Sequence, residues 1–203
     1  MKNKVIIAVL VVFSLIFASC QSAGVSRVSS DTVIDLSGFW NDTDVRLVCD
    51  SLIKKCFENP RLAKFEEKND RLPVIIVGKF KNDSTEHIDT SIMTEKFADA
   101  IINSGMAEFV ADKKERESLR EEKIAQNTDG FTSEDSTKAV DNETGADFML
   151  MGSVKTIVQS AGNKSVRVYY VNAKLIDIEK NTIVWQGSND EIKKVIVSKK
   201  PRL

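Results

Sequence analysis

Pro73-Val74-Ile75-Ile76-Val77-Gly78-Lys79-Phe80 is a nearly continuous apolar run set between polar stretches. A strand wetted on one face alternates apolar and polar residues, so an unbroken run reads as a central strand covered on both faces. After it, Asp89 or Thr90 can cap a helix that turns Ile92, Phe97, Ile101 and Ile102 inward and stops at Gly105. Before it, Asn41 or Asp42 can cap a helix whose Val45, Val48, Leu52, Ile53 and Cys56 recur at three- and four-residue steps. Asn59-Pro60 ends that helix, and a short strand, Val33-Ile34-Asp35-Leu36, precedes it. Met106 to Val110 reads as a second short strand. Asp112 to Ala125 reads as a charged helix with pairs such as Asp112–Arg116 and Lys113–Glu117, covering an edge with a narrow Leu119/Ile124 stripe. A polar loop, residues 127–133, then leads to a fourth short helix ending near Gly145.

The last third is β-rich. Asp147 to Gln159, Ser165 to Asp177 and Thr182 to about Asp190 form three successive strands, joined by turns at Ala161-Gly162-Asn163-Lys164 and Glu179-Lys180-Asn181. Val171, Ala173 and Leu175 alternate toward one face, with Asn172 and Lys174 on the other. Residues 33–203 are therefore expected to form a single two-layer α/β domain, a sheet of at least four strands covered by about four helices.

The chain has 203 residues and a net charge of −1, which gives no electrostatic reason to expect nucleic acid. Its single histidine, His87, lies in a polar loop, so no convincing zinc set and no Ser-His-Asp triad can be assembled. No metal or cofactor is expected. Two of the thirty acids would suffice for glycoside hydrolysis, but nothing in the sequence pairs them. Cys49 and Cys56 lie about 10.5 Å apart along one helix. That exceeds the ~7 Å a disulfide tolerates, so buried free thiols are expected, with a disulfide between two copies as the alternative.

Residues 1–19 read as a signal peptide. Lys2 and Lys4 precede an apolar run from Val5 to Ala18, broken only by Ser14. As a helix it would be roughly 21 Å long, short of the ~30 Å bilayer core. The run ends Leu15-Ile16-Phe17-Ala18-Ser19-Cys20, which resembles the bacterial lipobox. That resemblance implies cleavage between Ser19 and Cys20 and a di- or triacylated Cys20, a stable membrane anchor. Residues 20–32 then form a short Ser- and Gly-rich linker.

Two stretches carry a further resemblance. Leu36-Ser37-Gly38-Phe39-Trp40-Asn41-Asp42-Thr43-Asp44-Val45-Arg46-Leu47-Val48 resembles the opening of the globular domain in the LpoB family of penicillin-binding-protein activators. Gly145-Ala146-Asp147-Phe148-Met149-Leu150-Met151-Gly152-Ser153, with Tyr169 to Asp177 and Ile183-Val184-Trp185, is similar to the same family and more loosely to the CsgG secretion lipoproteins. The LpoB resemblance implies a fold like the amino-terminal domain of TolB. It also implies a non-catalytic outer-membrane lipoprotein whose periplasmic domain stimulates a class A penicillin-binding protein. A CsgG-like pore subunit is the alternative, although no spare pair of amphipathic membrane strands is evident. A peptidoglycan-cleaving enzyme ranks behind both. Gln21 lacks the acidic signal for inner-membrane retention, and about 12 linker residues reach at most ~43 Å.

The Trp40-Asn41-Asp42-Thr43-Arg46 cluster supports two readings. In one, Asn41 or Asp42 caps the helix, Trp40 staples its start and Arg46 pairs with an acid. In the other, Trp40 and Arg46 are partner-binding anchors, residue types that dominate interface hot spots. Tyr169, Tyr170 and Trp185 are further partner-binding candidates. Alternation along a strand sends Tyr169 and Tyr170 to opposite faces, so at most one of them is core.

Overall fold

A computed structural model describes residues 24–198. Ser19, Cys20 and the signal peptide lie outside the described residues, as does the start of the linker. Contacts divide the chain after Thr32, and the part from Val33 onward is one compact unit.

In that unit α1 (Asp42–Phe57) and α2 (Pro60–Asn69) precede β1 (Val74–Asn82), α3 (Thr90–Ser104), β2 (Glu108–Phe109) and α4 (Lys113–Thr128). The strands β3 (Phe148–Ala161), β4 (Lys164–Asp177), β5 (Thr182–Asn189) and β6 (Lys193–Val197) follow. The sheet runs β2-β1-β3-β4-β5, with β6 pairing β4 beside the end of β5. β1 is parallel to β2 and β3, while the later strands pair antiparallel, so the sheet is mixed.

The apolar run in β1 has the cause expected of it. Val74, Ile75, Ile76 and Val77 are all buried. The β1-to-β2 and β2-to-β3 connections cross the sheet in opposite directions, so right-handed crossovers put α3 and α4 on opposite faces. On one side Phe97 of α3 stacks on Phe80 at 4.6 Å, and on the other the first turns of α4 lie beside Ile76, Gly78 and Met149. The main core lies between the sheet and α1–α3. Val45, Val48, Leu52, Ile53 and Cys56 of α1 meet Leu150, Val154, Val171, Ala173 and Leu175 there. Cys49 and Cys56 are free and buried, and burial pushes both thiols up to about 12. Gly152 permits a close approach, because a Cβ there would sit 2.0 Å from the Asn172 carbonyl oxygen and 2.5 Å from the Phe80 ring.

Several expected elements are different. Val33 to Leu36 is no strand; the Asn41 amide and Lys194 hold this segment as an irregular strap. Pro60 does end α1, but it also starts α2 at the first helical position, where its missing N–H costs nothing and Asn59 caps the turn. The helix expected before Gly145 is absent. Ser136 N–H bonds to Ser133 O and Thr137 Oγ1 bonds to Glu134 O, local bonds that compete with helix. Ile92 and Ile102 are exposed, because Met93, Phe97 and Ile101 at four-residue steps form the inner face of α3. Leu119 and Ile124 are likewise exposed and α4 buries no residue; Arg120 fastens it through two 2.8 Å bonds to Glu143.

Asp147 joins the start of β3 to β1. Its carboxylate takes two 2.7 Å bonds from Arg71 and a 2.8 Å bond from Val74 N–H. Burial pushes this carboxyl up, and the Arg71 guanidinium and the Val74 N–H together outweigh it, holding Asp147 below the usual carboxylate range. A lowered carboxyl contributes stability above its unfolded pKa and loses it as pH falls through its folded one. Asp147→Ala is therefore expected to cost about 2 kcal/mol at neutral pH. Melting between pH 7 and pH 2 should show the gap between wild type and Asp147→Asn narrowing below about pH 4.

Candidate docking surface

The Trp40–Arg46 segment is first a structural clamp. Asn41 caps α1: its side chain accepts from Asp44 N–H at 3.1 Å while the Asp44 carboxylate accepts from Asn41 N–H at 3.0 Å. Asn41 Nδ2 also donates to Asp35 at 2.7 Å. From β6, Lys194 Nζ reaches Asp44 at 2.6 Å, Asp35 at 2.7 Å and the Phe39 carbonyl at 2.9 Å. Burial works against the Lys194 charge, but the two carboxylates overcome it and its pKa is raised. Lys194 holds Asp35 low, whereas burial pushes Asp44 up despite the same lysine.

A second polar cluster adjoins it. Glu86, with only 8% of its side chain exposed, accepts from Arg167 Nη1 at 2.7 Å and from the Tyr169 hydroxyl at 2.8 Å. Trp40 N–H donates to the other Glu86 oxygen at 3.3 Å, and Tyr169 also donates to the Gly38 carbonyl. The Arg167 guanidinium lies 4.1 Å from the Phe39 ring centre, and Trp40 packs on Tyr169 at 5.1 Å. Burial first, then the Glu86 carboxylate, pushes the Tyr169 hydroxyl above the usual phenol range. Gly38 lies flat on β6: a Cβ there would meet Ile196 Cδ1 at 2.0 Å.

This geometry sorts the partner-binding candidates. Tyr169 is fully buried and belongs to the core, which removes it from the surface set. Trp40 and Trp185 are half-buried against that core on the helix side, and Arg46 is half-buried on α1. Trp185 also covers Gly187, where a Cβ would sit 2.4 Å from the indole. Tyr170 faces the other way and is not brought together with them.

Around Tyr170 lies a surface the sequence reading missed. Cross-strand pairs Ile157–Val168, Lys155–Tyr170, Val166–Val195 and Lys164–Val197 place these residues on the sheet face opposite α1–α3. Ile157 is 50% exposed, Val195 63%, Val197 58% and Tyr170 38%. Lys155, Lys164 and Lys193 rim this apolar patch. A signal existed: Val166, Val168 and Tyr170 share the register of Asn172 and Lys174, the face opposite Val171, Ala173 and Leu175. An apolar centre with a charged rim is the anatomy of a protein interface. Among the described residues no His/Cys/Asp/Glu group is placed to hold a metal, and no helix is long and apolar enough to cross a membrane.

The class these features define is an α/β domain on a mixed sheet, with a clamped N-terminal strap and an exposed apolar sheet face. The chain belongs to the LpoB family: the family model described as peptidoglycan-synthase activator LpoB matches residues 44–190. Membership supports a role as an activator of a peptidoglycan synthase, a penicillin-binding protein. Similar solved structures include the LpoB C-terminal domain from Escherichia coli, 16% identical, covering 71% of this chain and 96% of that one, with a TM-score of 0.39. The corresponding domain from Salmonella enterica is 16% identical, covering 64% and 92%, with a TM-score of 0.34. Lipoprotein GNA1162 from Neisseria meningitidis is 18% identical, covering 62% and 84%, with a TM-score of 0.37. No curated protein matches the chain.

Proposed function

We propose that this chain is a lipid-anchored, non-catalytic activator that binds a class A penicillin-binding protein and stimulates its glycan polymerisation and crosslinking. The observation that carries the docking assignment is the apolar face around Tyr170, Ile157, Val168 and Val195 with its lysine rim. Contiguous exposed apolar surface of this kind marks interaction sites on monomeric domains. The rim fits a partner with acidic residues around an apolar centre. Trp40 and Trp185 already have packing duties, which favours the Tyr170 face over theirs. Family membership supports the class of partner, and the lipobox-like Ala18-Ser19-Cys20 supports acylation of Cys20. Gln21 after the cysteine supports the outer membrane, with the domain in the periplasm.

The short linker bears on how such an activator reaches its target. About 12 residues span at most ~43 Å, so the partner must project toward the anchoring membrane or share it. The mature chain should retain a class A penicillin-binding protein from the same cell in a pull-down with detergent-solubilised membranes. Failure to retain any such protein would contradict the proposal.

A further inference from the structure

We propose that the cleft between α2 and the β4–β5 turn is a second binding site, for a peptide that carries carboxylates beside an apolar side chain. The cleft, about 560 Å³, is edged by Arg61, Lys64 and Lys68 of α2 and by Lys180 of the turn, with Phe65 on its floor. Phe65 meets the buried Phe148 edge-on at 5.1 Å, so the floor is aromatic.

Charge on α2 is segregated. Arg61, Lys64 and Lys68 line this cleft, whereas Glu66, Glu67 and Asp70 line a separate hollow. Two features of the arrangement cost the helix stability, while Lys68 in the last turn suits the dipole. Lys64 and Lys68 are like charges four residues apart, and Arg61 puts a cation in a first turn that holds no acid. A helix that is merely solvated gains nothing from this pattern; one that receives an anion does.

Three acids also line the cleft, and each lies beside a cation other than the α2 row. Asp147 is held by Arg71, Asp177 takes a 3.2 Å bond from Lys180 Nζ and a 2.9 Å bond from its N–H, and the exposed Glu179 lies 3.7 Å from Lys180 Nζ. Among the described residues no acid pairs with Arg61, Lys64 or Lys68. Their row is about 10 Å long at ~1.5 Å per residue. An extended peptide repeats its side chains on one face every ~7 Å, so two carboxylates can meet the row while the apolar side chain between them, on the opposite face, turns from α2 toward Phe148 and Val184. A single phosphate would use neither the length nor the floor. Phe148 and Ile157 are nine residues apart on β3, roughly 30 Å, which separates this site from the Tyr170 face.

The test uses the mature chain and a fluorescein-labelled peptide alternating Glu and Leu, read by anisotropy. The peptide should bind, and raising salt should weaken it. The triple variant Arg61→Glu, Lys64→Glu, Lys68→Glu should bind at least about tenfold more weakly. The neutral double variant Lys64→Gln, Lys68→Gln should fall between it and wild type. Glu66→Lys with Glu67→Lys, on the other flank, should not weaken binding, and melting curves check that every variant is folded. The proposal is overturned if wild type does not bind, if a Gln-for-Glu peptide binds equally, or if the triple variant keeps its affinity. Tighter binding to phosphatidylglycerol vesicles or polyphosphate than to the peptide would also overturn it, by assigning the row to phosphate. No synthase takes part, so failure here is distinct from failure of the activator reading.

Discussion

Glu86→Leu is expected to destabilise the domain by about 3–5 kcal/mol, because removing one partner of a buried ion pair strands the other. For a domain of this size that lowers Tm by roughly 10–15 °C. Arg167 has 15% of its side chain exposed and relies on Glu86 for its short charged contact. The same substitution removes the carboxylate that accepts from the Tyr169 hydroxyl and the Trp40 backbone N–H, leaving the hydroxyl only the Gly38 carbonyl. Tyr169→Phe deletes one of these bonds and should cost only about 1 kcal/mol. The double variant Glu86→Leu, Arg167→Met should recover most of the loss, since a well-packed apolar pair often equals a buried ion pair. Thermal melts of the three variants decide the matter. An unchanged Tm for Glu86→Leu would refute the clamp.

The second large effect concerns binding. Ile157→Asp combined with Val195→Asp should weaken binding of the penicillin-binding protein by about 2 kcal/mol, roughly 30-fold. Both positions are exposed, so Tm should move little. Val158 is the control: it is exposed and adjacent, but its pairing with Arg167 puts it on the other face. Val158→Asp should therefore leave affinity unchanged. Lys155→Glu with Lys193→Glu should slow association and reverse its salt dependence, as rim charges act mainly on encounter. Surface plasmon resonance separates the two effects. Equal losses for Val158→Asp and the Ile157/Val195 pair would argue against the Tyr170 face.

Much of the fold was legible because periodicity reports burial directly. The unbroken β1 run, the α1 face from Val45 to Cys56, and Val171, Ala173 and Leu175 all fall where their patterns put them. The three long strands begin and end within a few residues of their turn signals. What escaped was set by tertiary contacts or by residues with two roles. Pro60 punctuates both ways, stopping α1 and starting α2, so its helix went unread. β6 is five residues long and finds its place only against the first half of β4. The Val33–Leu36 segment has strand-like residues but no ladder; Lys194, more than 150 positions away, decides its shape.

The site was legible in a different way. Motif reading picked out Trp40 to Arg46, and the structure gives most of that motif to capping and clamping. Alternation sends Tyr169 and Tyr170 to opposite faces without deciding which is core, and the structure buries Tyr169. The exposed neighbours of Tyr170 come from three strands, and only the pairing register of β3, β4 and β6 unites them. Lys193 illustrates this: beside Lys194 it looks like half of a basic pair, yet the two point to opposite faces, one to the rim and one to the clamp.

The most direct test is glycan polymerisation by a purified class A penicillin-binding protein, followed with lipid-linked disaccharide substrate, with and without the mature chain. The expected result is a faster rate that saturates with added chain, is lost in Ile157→Asp/Val195→Asp and is kept in Val158→Asp. An unchanged rate with every class A synthase of the cell, or full stimulation by the Ile157→Asp/Val195→Asp variant, would contradict it.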